Sequence, residues 1–270
     1  MNSSEAITEI ESRLRGQFGL VPVMAAEIEC YVTLDDDIDR FWKPVDESLK
    51  KDGVSLIRIE KERGTHQYEL VTHVTTPQRL AGWLATIRRT VEAQARALEV
   101  EATFAAKPYP DEPSSGLHLH LHLGDGDGIN AYHKPEEWTS DALRWSLGGL
   151  LASLPSAMPV FFPRKEDYAR LGDVDHVPKL AGWGVNNRYC ALRIPANEDP
   201  YDKRIEHRVP CADADPALAI LAMLEGVTIG LEQRIEPPAQ EYGKPTTGLL
   251  ESMTKTPVEL PLLQIVMPSS

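Results

Sequence analysis

Leucine and histidine alternate without a break along residues 117–123. Successive side chains of a β-strand point to opposite faces of its sheet, so this pattern predicts a strand with one leucine wall and one row of imidazoles. The leucines can pack in a core. His118, His120 and His122 share the other face and need polar partners such as metal ions, phosphates or acids. We therefore interpret this face as functional rather than as a solvated surface.

Two further segments show the same alternation with other charged residues. Glu27 and Glu29 lie two residues apart on one predicted strand, with apolar residues between and beside them. Glu206 lies between Arg204 and Arg208 on another. Each pattern alone is weak evidence, because a polar strand face is usually just solvated. Several such strands in one chain indicate a shared charged face of a sheet.

A fourth segment brings in two more carboxylates, Glu62 and Glu69. Their odd spacing would place them on opposite faces of one straight strand. A turn at Gly64 between two strands would instead let them converge. Carboxylates with one or two imidazoles suit Mg²⁺ or Mn²⁺, whereas a set rich in thiolates would indicate zinc. Arginine among these carboxylates suggests an anionic ligand, most plausibly a polyphosphate.

The remaining sequence alternates helical and strand patterns. No linker, charge run or repeat divides it, so we predict one domain over residues 1–270. Strand pairs separated by helices predict an α+β fold with a largely antiparallel sheet. The segment 155–187 is rich in Pro, Gly, Asp and Arg and is expected to be a functional loop. The Pro-rich tail 236–270 is expected to wrap the body or to dock on a partner. The predicted helices lie near residues 3–16, 36–50, 76–97, 136–153 and 215–233, and the predicted strands near 22–33, 54–61, 66–72, 99–106, 116–123, 188–194 and 203–209.

Composition narrows the classes of partner and the compartment. The formal net charge is −13, which argues against nucleic acid or an anionic membrane as the main partner. The N-terminal residues form an acidic amphipathic pattern without the apolar core of a signal peptide, and no apolar run is expected to reach membrane-spanning length. Three widely spaced cysteines without a CxxC motif predict buried free thiols. These features favour a cytoplasmic protein.

The charged segments stand among further motifs whose order is informative. In this order the set resembles the catalytic domain of the glutamine synthetase family, over about residues 20–235. Many motifs in family order are a far more specific signal than any one of them. The motifs are Glu27-Ile28-Glu29, Gln67-Tyr68-Glu69, Lys107-Pro108, Ser115-Gly116-Leu117-His118, Gly148-Gly149-Leu150, Tyr168-Ala169-Arg170-Leu171, Asn187-Arg188, Arg193-Ile194-Pro195 and residues 204–210.

The resemblance implies a fold, a reaction and a set of site residues. The family joins glutamate to ammonia or an amine through an acyl phosphate made from ATP, with two or three Mg²⁺ or Mn²⁺ ions in a funnel formed by an antiparallel sheet. Carried over by position, Glu29, Glu62 and Glu69 resemble the ligands of one ion, and Glu27, His118 and Glu206 those of a second. His120, Arg188, Arg193 and Arg204 match positions that contact ATP and its phosphates. Arg170 and Arg208 match positions that hold the acid substrate and the transferring phosphoryl group, which also makes Arg188 and Arg208 candidate catalytic residues.

The sequence also departs from the family pattern. Only about twenty residues precede the Glu27 strand, so the family's N-terminal β-rich domain of about a hundred residues is expected to be missing. His176 takes the place of the glutamate that accepts the amine proton, with Asp175 beside it, and an imidazole can act as this base. Pro113-Ser114 replaces an Asn-Gly pair that contacts glutamate in the family. Both changes suggest a substrate pair other than glutamate and free ammonia.

Four hypotheses follow for the function. The leading one is an ATP-dependent carboxylate–amine ligase, for example one that forms γ-glutamyl amides. The alternatives are a regulatory protein that binds ATP and metal without turnover, one subunit of a split ligase, and another phosphoryl transferase such as a guanidino kinase. The assembly is expected to be a smaller homo-oligomer than the family's double ring, or a hetero-complex with a chain that supplies the missing domain.

Overall fold

The computed structural model describes the whole chain except residues 35–36, 135–138, 174, 176, 197–198, 200–201 and 268–270. Its described residues include eight strands that join in one sheet, in the order β2-β3-β1-β5-β8-β7-β6, with β4 paired to β1. All the pairings are antiparallel except that of β6 with β7, which is parallel. The α+β fold with a largely antiparallel sheet is therefore confirmed. The strands are β1 (Val21–Val32), β2 (Leu56–Lys61), β3 (Gln67–Thr72), β4 (Ala102–Thr103), β5 (Leu117–Gly124), β6 (Leu180–Val185), β7 (Cys190–Ile194) and β8 (Ile205–His207).

Helices flank the sheet, and several begin at a polar cap. Thr76, Ser140 and Asp215 each accept a hydrogen bond from the backbone N–H three residues later, which satisfies one of the unpaired donors of the first turn. Proline follows directly after Thr76 and Asp215, where its missing N–H costs nothing. The helices are α1 (Ser3–Phe18), α2 (Asp39–Lys51), α3 (Pro77–Leu98), α4 (Asp141–Phe161), α5 (Pro216–Gln233), α6 (Leu249–Ser252) and α7 (Pro261–Val266), with a 3₁₀-helix at Lys165–Gly172.

The sheet has one apolar and one charged face, as strand alternation requires. On β5 the side chains of Leu117, Leu119 and Leu121 are at most 1% exposed and belong to the main core. On β1 the even-numbered residues from Met24 to Cys30 are fully buried, while the odd-numbered ones are partly exposed. The odd positions include Glu27 and Glu29. Burial of one face therefore fixes the register that presents the carboxylates on the other.

The core helices α4 and α5 cross at glycines. A Cβ atom on Gly149 would lie 2.5 Å from the Cα atom of Gly230, and a Cβ on Gly230 would lie 2.8 Å from the Cα of Gly149. Only glycine allows the two backbones to approach so closely. This contact accounts for the Gly148-Gly149 motif as a packing feature beneath the sheet rather than as part of the charged face.

Two segments differ from their predicted structure. The predicted loop 155–187 instead continues α4 through Pro155 and Pro159 to Phe161, and then forms the 3₁₀-helix and β6. The high Pro and Gly content hid these elements. The predicted strand 99–106 shrinks to two residues, Ala102 and Thr103. The predicted helices near 36 and 136 begin at residues that lie outside the described part of the chain.

The tail wraps the body, which is one of its two expected arrangements. The carboxylate of Glu225 on α5 accepts hydrogen bonds from the backbone N–H groups of Leu262 and Leu263, at 2.7 and 3.0 Å. These are unpaired donors at the start of α7, and the negative charge at a helix N-terminus is favourable. Leu260 and Leu263 are almost completely buried beside it. The tail is thus tied to the core helix.

Helix α5 corrects the expectation about apolar runs. Its 18 residues have a mean hydropathy of 1.2, so by length and composition it is apolar enough to cross a membrane. In the folded chain 78% of it is buried, against α1, α3, α4 and α7. The apolar character is that of a core helix enclosed on all sides.

Candidate active site

The charged strand residues meet on the face opposite the leucines of β5. Glu27 pairs with His118 across strands, and Glu29 pairs with Glu69. Glu60 pairs in turn with Glu69. Directly opposed residues have Cβ atoms about 5 Å apart, so the register alone brings these groups within reach of shared ions. We define the floor of the site as Glu27, Glu29, Glu60, Glu62, Glu69, His118 and Glu206.

A cavity of about 730 Å³ lies over the floor. All seven floor residues line it, together with Arg188, Arg193 and Arg208. Its outer wall is formed by irregular backbone. We define the rim as residues 110–114 together with Arg170, Gly172, Asp173 and Asp175, all of which also line the cavity. The cavity thus combines a carboxylate floor with guanidinium groups, which suits a ligand that carries both phosphates and metal ions.

Glu27, His118 and Glu206 come together as one group of donors. Each offers an atom within 4.8 Å of the others'. His118 Nδ1 lies 3.2 Å from Glu27 Oε2 and 3.8 Å from Glu206 Oε1. The second oxygen of Glu27 lies 3.2 Å from His120 Nε2. The sequence predicted this trio as the ligands of one ion, and the structure places its donor atoms where one ion can contact all three.

The second predicted trio, Glu29, Glu62 and Glu69, is distributed over two overlapping groups. One consists of Glu29, Glu69 and His118, and the other of Glu60, Glu62 and Glu69. The turn between β2 and β3 does bring Glu62 to Glu69, as the position of Gly64 suggested. Glu60 was missed, although its even spacing from Glu62 along a predicted strand was a usable signal. Glu69 belongs to both groups and so lies at the centre of the floor.

Three of these carboxylates hold their protons more tightly than usual. Burial raises the pKa of Glu29 to about 7, against the lowering effect of the Arg170 guanidinium. Burial, together with the smaller effects of the Glu27 and Glu29 charges, raises the pKa of Glu69 to about 9. Burial also raises the pKa of Glu62. Crowded carboxylates resist ionising together, and a divalent ion would relieve that repulsion.

In the group of Glu27, His118 and Glu206 the pKa values are lowered instead. Burial opposes ionisation of Glu27, but hydrogen bonds from His118 and His120 outweigh it and hold the pKa of Glu27 below its usual range. Burial likewise opposes ionisation of Glu206, yet nearby charges, led by Arg208, lower its pKa to about 2. Burial and Arg208 lower the pKa of His118 to about 4, so its imidazole is neutral and able to ligate a metal near pH 7.

Glu206 is the junction between the floor and the guanidinium groups. It is fully buried and pairs with Arg193 Nη1 at 2.5 Å and with Arg208 Nη1 on its other oxygen. Arg204 shares the predicted strand face with Glu206 and was expected to contact ATP or its phosphates. Arg204 instead turns away, donating from Nε to His120 Nδ1 at 3.2 Å and pairing with Asp202 at 2.8 Å. It is absent from the residues that line the cavity.

Arg170, a rim residue, is buried against the backbone that follows β8. Its guanidinium donates to the carbonyl oxygens of Val209 at 2.8 Å and Arg208 at 3.1 Å. A Cβ atom on Gly116 would lie 2.6 Å from Arg170 Nη2, so this position requires glycine. The Gly116 N–H donates to Glu29 Oε2 at 2.7 Å. Gly116 of the Ser-Gly motif therefore leaves room for the buried Arg170 and donates a hydrogen bond to the floor carboxylate Glu29.

Asp173 connects the two parts of the rim, and we call its contacts with Lys107 and Ser114 the Asp173 clasp. These contacts were not predicted from the sequence. Asp173 pairs with Lys107 Nζ at 2.5 Å and accepts from the Ser114 N–H at 2.7 Å. Gln67 Nε2 donates to the Ser114 carbonyl oxygen at 2.9 Å. The Ser114 hydroxyl is buried at the cavity wall without a hydrogen-bond partner. Lys107 belonged to a recognised motif, but no local pattern indicated Asp173 as its partner.

The predicted base, His176, lies outside the described residues. Its neighbour Asp175 lines the cavity and accepts a hydrogen bond from the Tyr189 hydroxyl at 3.2 Å. Of the predicted ATP contacts, Arg188 and Arg193 line the cavity and His120 lies buried beside Glu27. The structure thus assembles most of the predicted residues around one space, and their individual roles remain proposals.

The donors fit the ions and the nucleotide that the pattern suggested. Carboxylate oxygens and one neutral imidazole are ligands that Mg²⁺ and Mn²⁺ accept. Burial is the main cause of the raised pKa values of Glu29 and Glu69, and a divalent ion bound beside them would favour their ionised forms. Several arginines, among them Arg188, Arg193 and Arg208, line the same cavity, and their planar donors match phosphate oxygens.

Comparisons with known proteins agree with this arrangement. A family model described as the catalytic domain of glutamine synthetase matches residues 10–260. Gamma-glutamylputrescine synthetase of Escherichia coli (strain K12) is 37% identical over 155 residues, which are 57% of this chain and 32% of that protein. A glutamine synthetase of Frankia alni is 31% identical over 194 residues, 70% of this chain and 41% of that protein. This chain therefore spans about a third to two fifths of the length of these relatives.

Two solved structures share the fold. One, described as a novel glutamine synthase homolog, superposes with a TM-score of 0.81 at 23% identity, over 97% of this chain and 65% of that one. The other, described as a GmaS/ADP complex, has a TM-score of 0.78 at 20% identity, over 90% of this chain and 62% of that one. At this level of identity the likeness establishes the fold alone.

Proposed function

Because the chain belongs to the glutamine synthetase catalytic-domain family, we propose that it provides the site of an ATP-dependent ligase that joins a glutamate-like acid to an amine larger than ammonia. Family members use ATP and divalent ions and are ligases. The observation that carries the proposal is the cavity in which the carboxylate floor meets two guanidinium groups, those of Arg193 and Arg208, at Glu206. The relative named gamma-glutamylputrescine synthetase supports an amine acceptor.

The proposed reaction has two steps, a phosphoryl transfer and the formation of an amide. A carboxylate oxygen of the acid attacks the γ-phosphorus of ATP, so that a new P–O bond forms and ADP leaves. The amine nitrogen then attacks the acyl carbon, inorganic phosphate leaves, and the nitrogen gives up a proton. Divalent ions bound to the floor would screen the phosphate charges during the transfer.

Each group of residues has a distinct task in these steps. The trio Glu27, His118 and Glu206 would hold an ion that screens the charge of the ATP phosphates, and the trio Glu29, Glu62 and Glu69 would hold an ion that positions the acid. Arg188 and Arg193, which line the cavity, contact ATP, whereas His120 and Arg204 are not among the lining residues. Arg188 and Arg208 stabilise the charge of the transferring phosphoryl group. Arg170 and Arg208 orient the acid, and His176 accepts the amine proton.

Phosphate release from ATP tests the proposal. The chain is assayed with Mg²⁺ or Mn²⁺ against a panel of acids and amines, and turnover that requires both an acid and an amine is expected. ATP binding without turnover would favour a regulatory protein, and activity only with an added protein would favour a split ligase. Turnover with a guanidino compound and no acid would favour a kinase. Each of these outcomes would overturn the ligase assignment to this chain alone.

An arginine variant tests the nucleotide half separately. Arg193→Lys keeps the charge but loses the planar pair of donors that suits phosphate oxygens. We expect ATP affinity to fall about tenfold, measured by calorimetry with Mg²⁺ present, as for the loss of one charged hydrogen bond. Arg13→Lys, on the surface far from the cavity, is the matched control. Equal affinity in all three proteins would exclude Arg193 as a phosphate contact.

A further inference from the structure

The chain places an ammonium group of its own at the rim of the cavity. Lys244, in the tail, has its Nζ atom 5.4 Å from the centre of the Tyr189 ring. The same Nζ atom lies 3.5 Å from Asp175 Oδ1. The Tyr189 hydroxyl donates to that carboxylate at 3.2 Å, which joins the ring and the acid into one unit. A carboxylate beside an aromatic face is a chemistry that recognises alkylammonium groups.

The tail is positioned for this contact by its own backbone. The Glu241 N–H donates to the Trp183 carbonyl oxygen at 2.9 Å. Asn187 Nδ2 donates to the carbonyl oxygens of Glu241 and Gly243, at 3.3 and 3.0 Å. Lys244 follows Gly243 directly. Lys244 is therefore held at the rim by a tail segment whose backbone is hydrogen-bonded to β6 and to the turn before β7.

The site opens toward the reacting groups on one side and toward the tail on the other. Asp175 lines the main cavity, and Tyr189 lines a second cavity of about 340 Å³ whose walls include Tyr242 and Gly243. Arg188 lines both cavities. A ligand group bound between Asp175 and Tyr189 thus lies where the cavity that contains the floor adjoins the second cavity.

The Lys244 contact is of a kind that a ligand can displace. The side chains of Lys244 and Asp175 are 51% and 49% exposed, and ion pairs so exposed contribute little to stability. Burial lowers the pKa of Lys179, and the nearby charge of Lys244 lowers it as well. The two lysines therefore lie close enough to repel each other. A second cation would be repelled by both lysines, so an ammonium ligand should replace Lys244 rather than join it.

We propose that Asp175 and Tyr189 bind the distal ammonium group of a diamine acceptor, and that Lys244 occupies this site until the diamine arrives. The half-exposed position suits the end of the acceptor that does not react, since the reacting nitrogen must meet the acyl carbon over the floor. This inference rests on the proposed function and names its acceptor class as an alkane diamine.

The test compares two amines of equal length that differ only in the distal charge. With 1,4-diaminobutane and n-butylamine as acceptors, the wild type should prefer the diamine. Asp175→Asn should raise the KM for the diamine about tenfold and leave that for butylamine nearly unchanged, because only the diamine loses a charge pair. Lys244→Ala should lower the KM for the diamine severalfold, because its competitor is gone. Lys255→Ala, an exposed lysine elsewhere in the tail, is the control for charge alone.

Binding and turnover separate this inference from the proposed function. Calorimetry with 1,4-diaminobutane and with butylamine measures the preference even if no ligase activity is found, in which case only the proposed function fails. Tyr189→Leu should weaken diamine binding, whereas Tyr189→Phe keeps the ring and should retain most of it. Ligase activity whose diamine preference is unchanged in Asp175→Asn and in Lys244→Ala would overturn the inference and leave the function standing. Equal losses for both amines would overturn it too.

Discussion

The floor and the rim line the same cavity but are built in different ways. The floor stands on β1, β2, β3, β5 and β8, or, for Glu62, at the first residue after β2, so its side chains take their places from register and alternation. The rim consists of a loop and the end of a 3₁₀-helix, and it is held by contacts such as Lys107 with Asp173 between segments far apart in the chain. The residues proposed to bind metal therefore stand on regular backbone, and those proposed to select the substrate stand on irregular backbone.

The largest effect that separates the two regions is expected at Glu206. Its carboxylate is fully buried between Arg193 and Arg208, so Glu206→Ala leaves two guanidinium groups without their shared partner. Breaking a buried ion pair from one side costs about 3–5 kcal/mol. We expect that loss in the free energy of unfolding, measured in urea without metal.

Glu60→Ala is the matched control for this prediction. Glu60 also stands on the charged face, but its side chain is 43% exposed and pairs with the exposed Arg58. Its removal should change the free energy of unfolding by less than about 1 kcal/mol. Equal losses in the two variants would contradict the view that Glu206 joins the floor to the guanidinium groups.

Metal binding should stabilise the floor more than any other part of the chain. Ions bind the folded state, where the carboxylates are assembled, and this shifts unfolding by about 2.7 kcal/mol at a hundredfold excess over Kd. We expect Mn²⁺ or Mg²⁺ to raise Tm in calorimetry, and Glu69→Gln to reduce the rise, because Glu69 belongs to two donor groups. Asp173→Asn, at the rim, should leave the rise intact. An unchanged Tm at millimolar metal would remove the basis of the floor assignment.

The floor also predicts how stability depends on pH. The pKa of Glu69 is raised from 4.5 to about 9, and that of Glu29 to about 7. Between pH 4.5 and pH 9 the folded state therefore holds more protons than the unfolded state. Stability without metal should therefore fall as pH rises from about 5 to 9. Glu206, whose pKa is lowered to about 2, acts oppositely, and its contribution is lost as pH falls from 4.5 toward 2.

Urea unfolding at a series of pH values checks this prediction. Glu69→Gln removes the main titrating group and should flatten the decline between pH 5 and 9. Saturating Mn²⁺ should flatten it as well, because the ion takes the place of the protons. A wild-type stability that rises steadily over this range without metal would show that the floor carboxylates are not crowded as described.

The same contrast explains how much the sequence could predict. Alternation identified the strands that carry Glu27, Glu29 and His118, because a half-buried strand must place its charged residues on one face. The rim could not be predicted this way. Asp173 and Lys107 are 66 residues apart, and their pairing depends on how the 3₁₀-helix packs against the loop. The same holds for Arg204, which lies in the right pattern yet turns toward Asp202.

The smallest and most specific effect is expected at Ser114, where two neighbouring serines form a natural pair. Both hydroxyl groups are buried without a partner, but only Ser114 lines the cavity. Deleting an unsatisfied buried hydroxyl is neutral or stabilising, by up to about 1 kcal/mol. Ser114→Ala and Ser115→Ala should therefore both keep or slightly raise the free energy of unfolding.

Of the two variants, only Ser114→Ala should change the KM for the acid substrate. If the bound acid supplies the missing partner of the Ser114 hydroxyl, losing that hydrogen bond should raise the KM for the acid about five- to tenfold, at about 1–1.5 kcal/mol per bond. The KM values for ATP and for the amine should stay unchanged, because the Asp173 clasp holds the Ser114 backbone N–H and not its side chain. Steady-state kinetics with each substrate varied in turn makes the measurement. Equal effects of the two serine variants would mean that the rim contacts the acid elsewhere, and a shared change in the KM for ATP would mean that loop and floor move together.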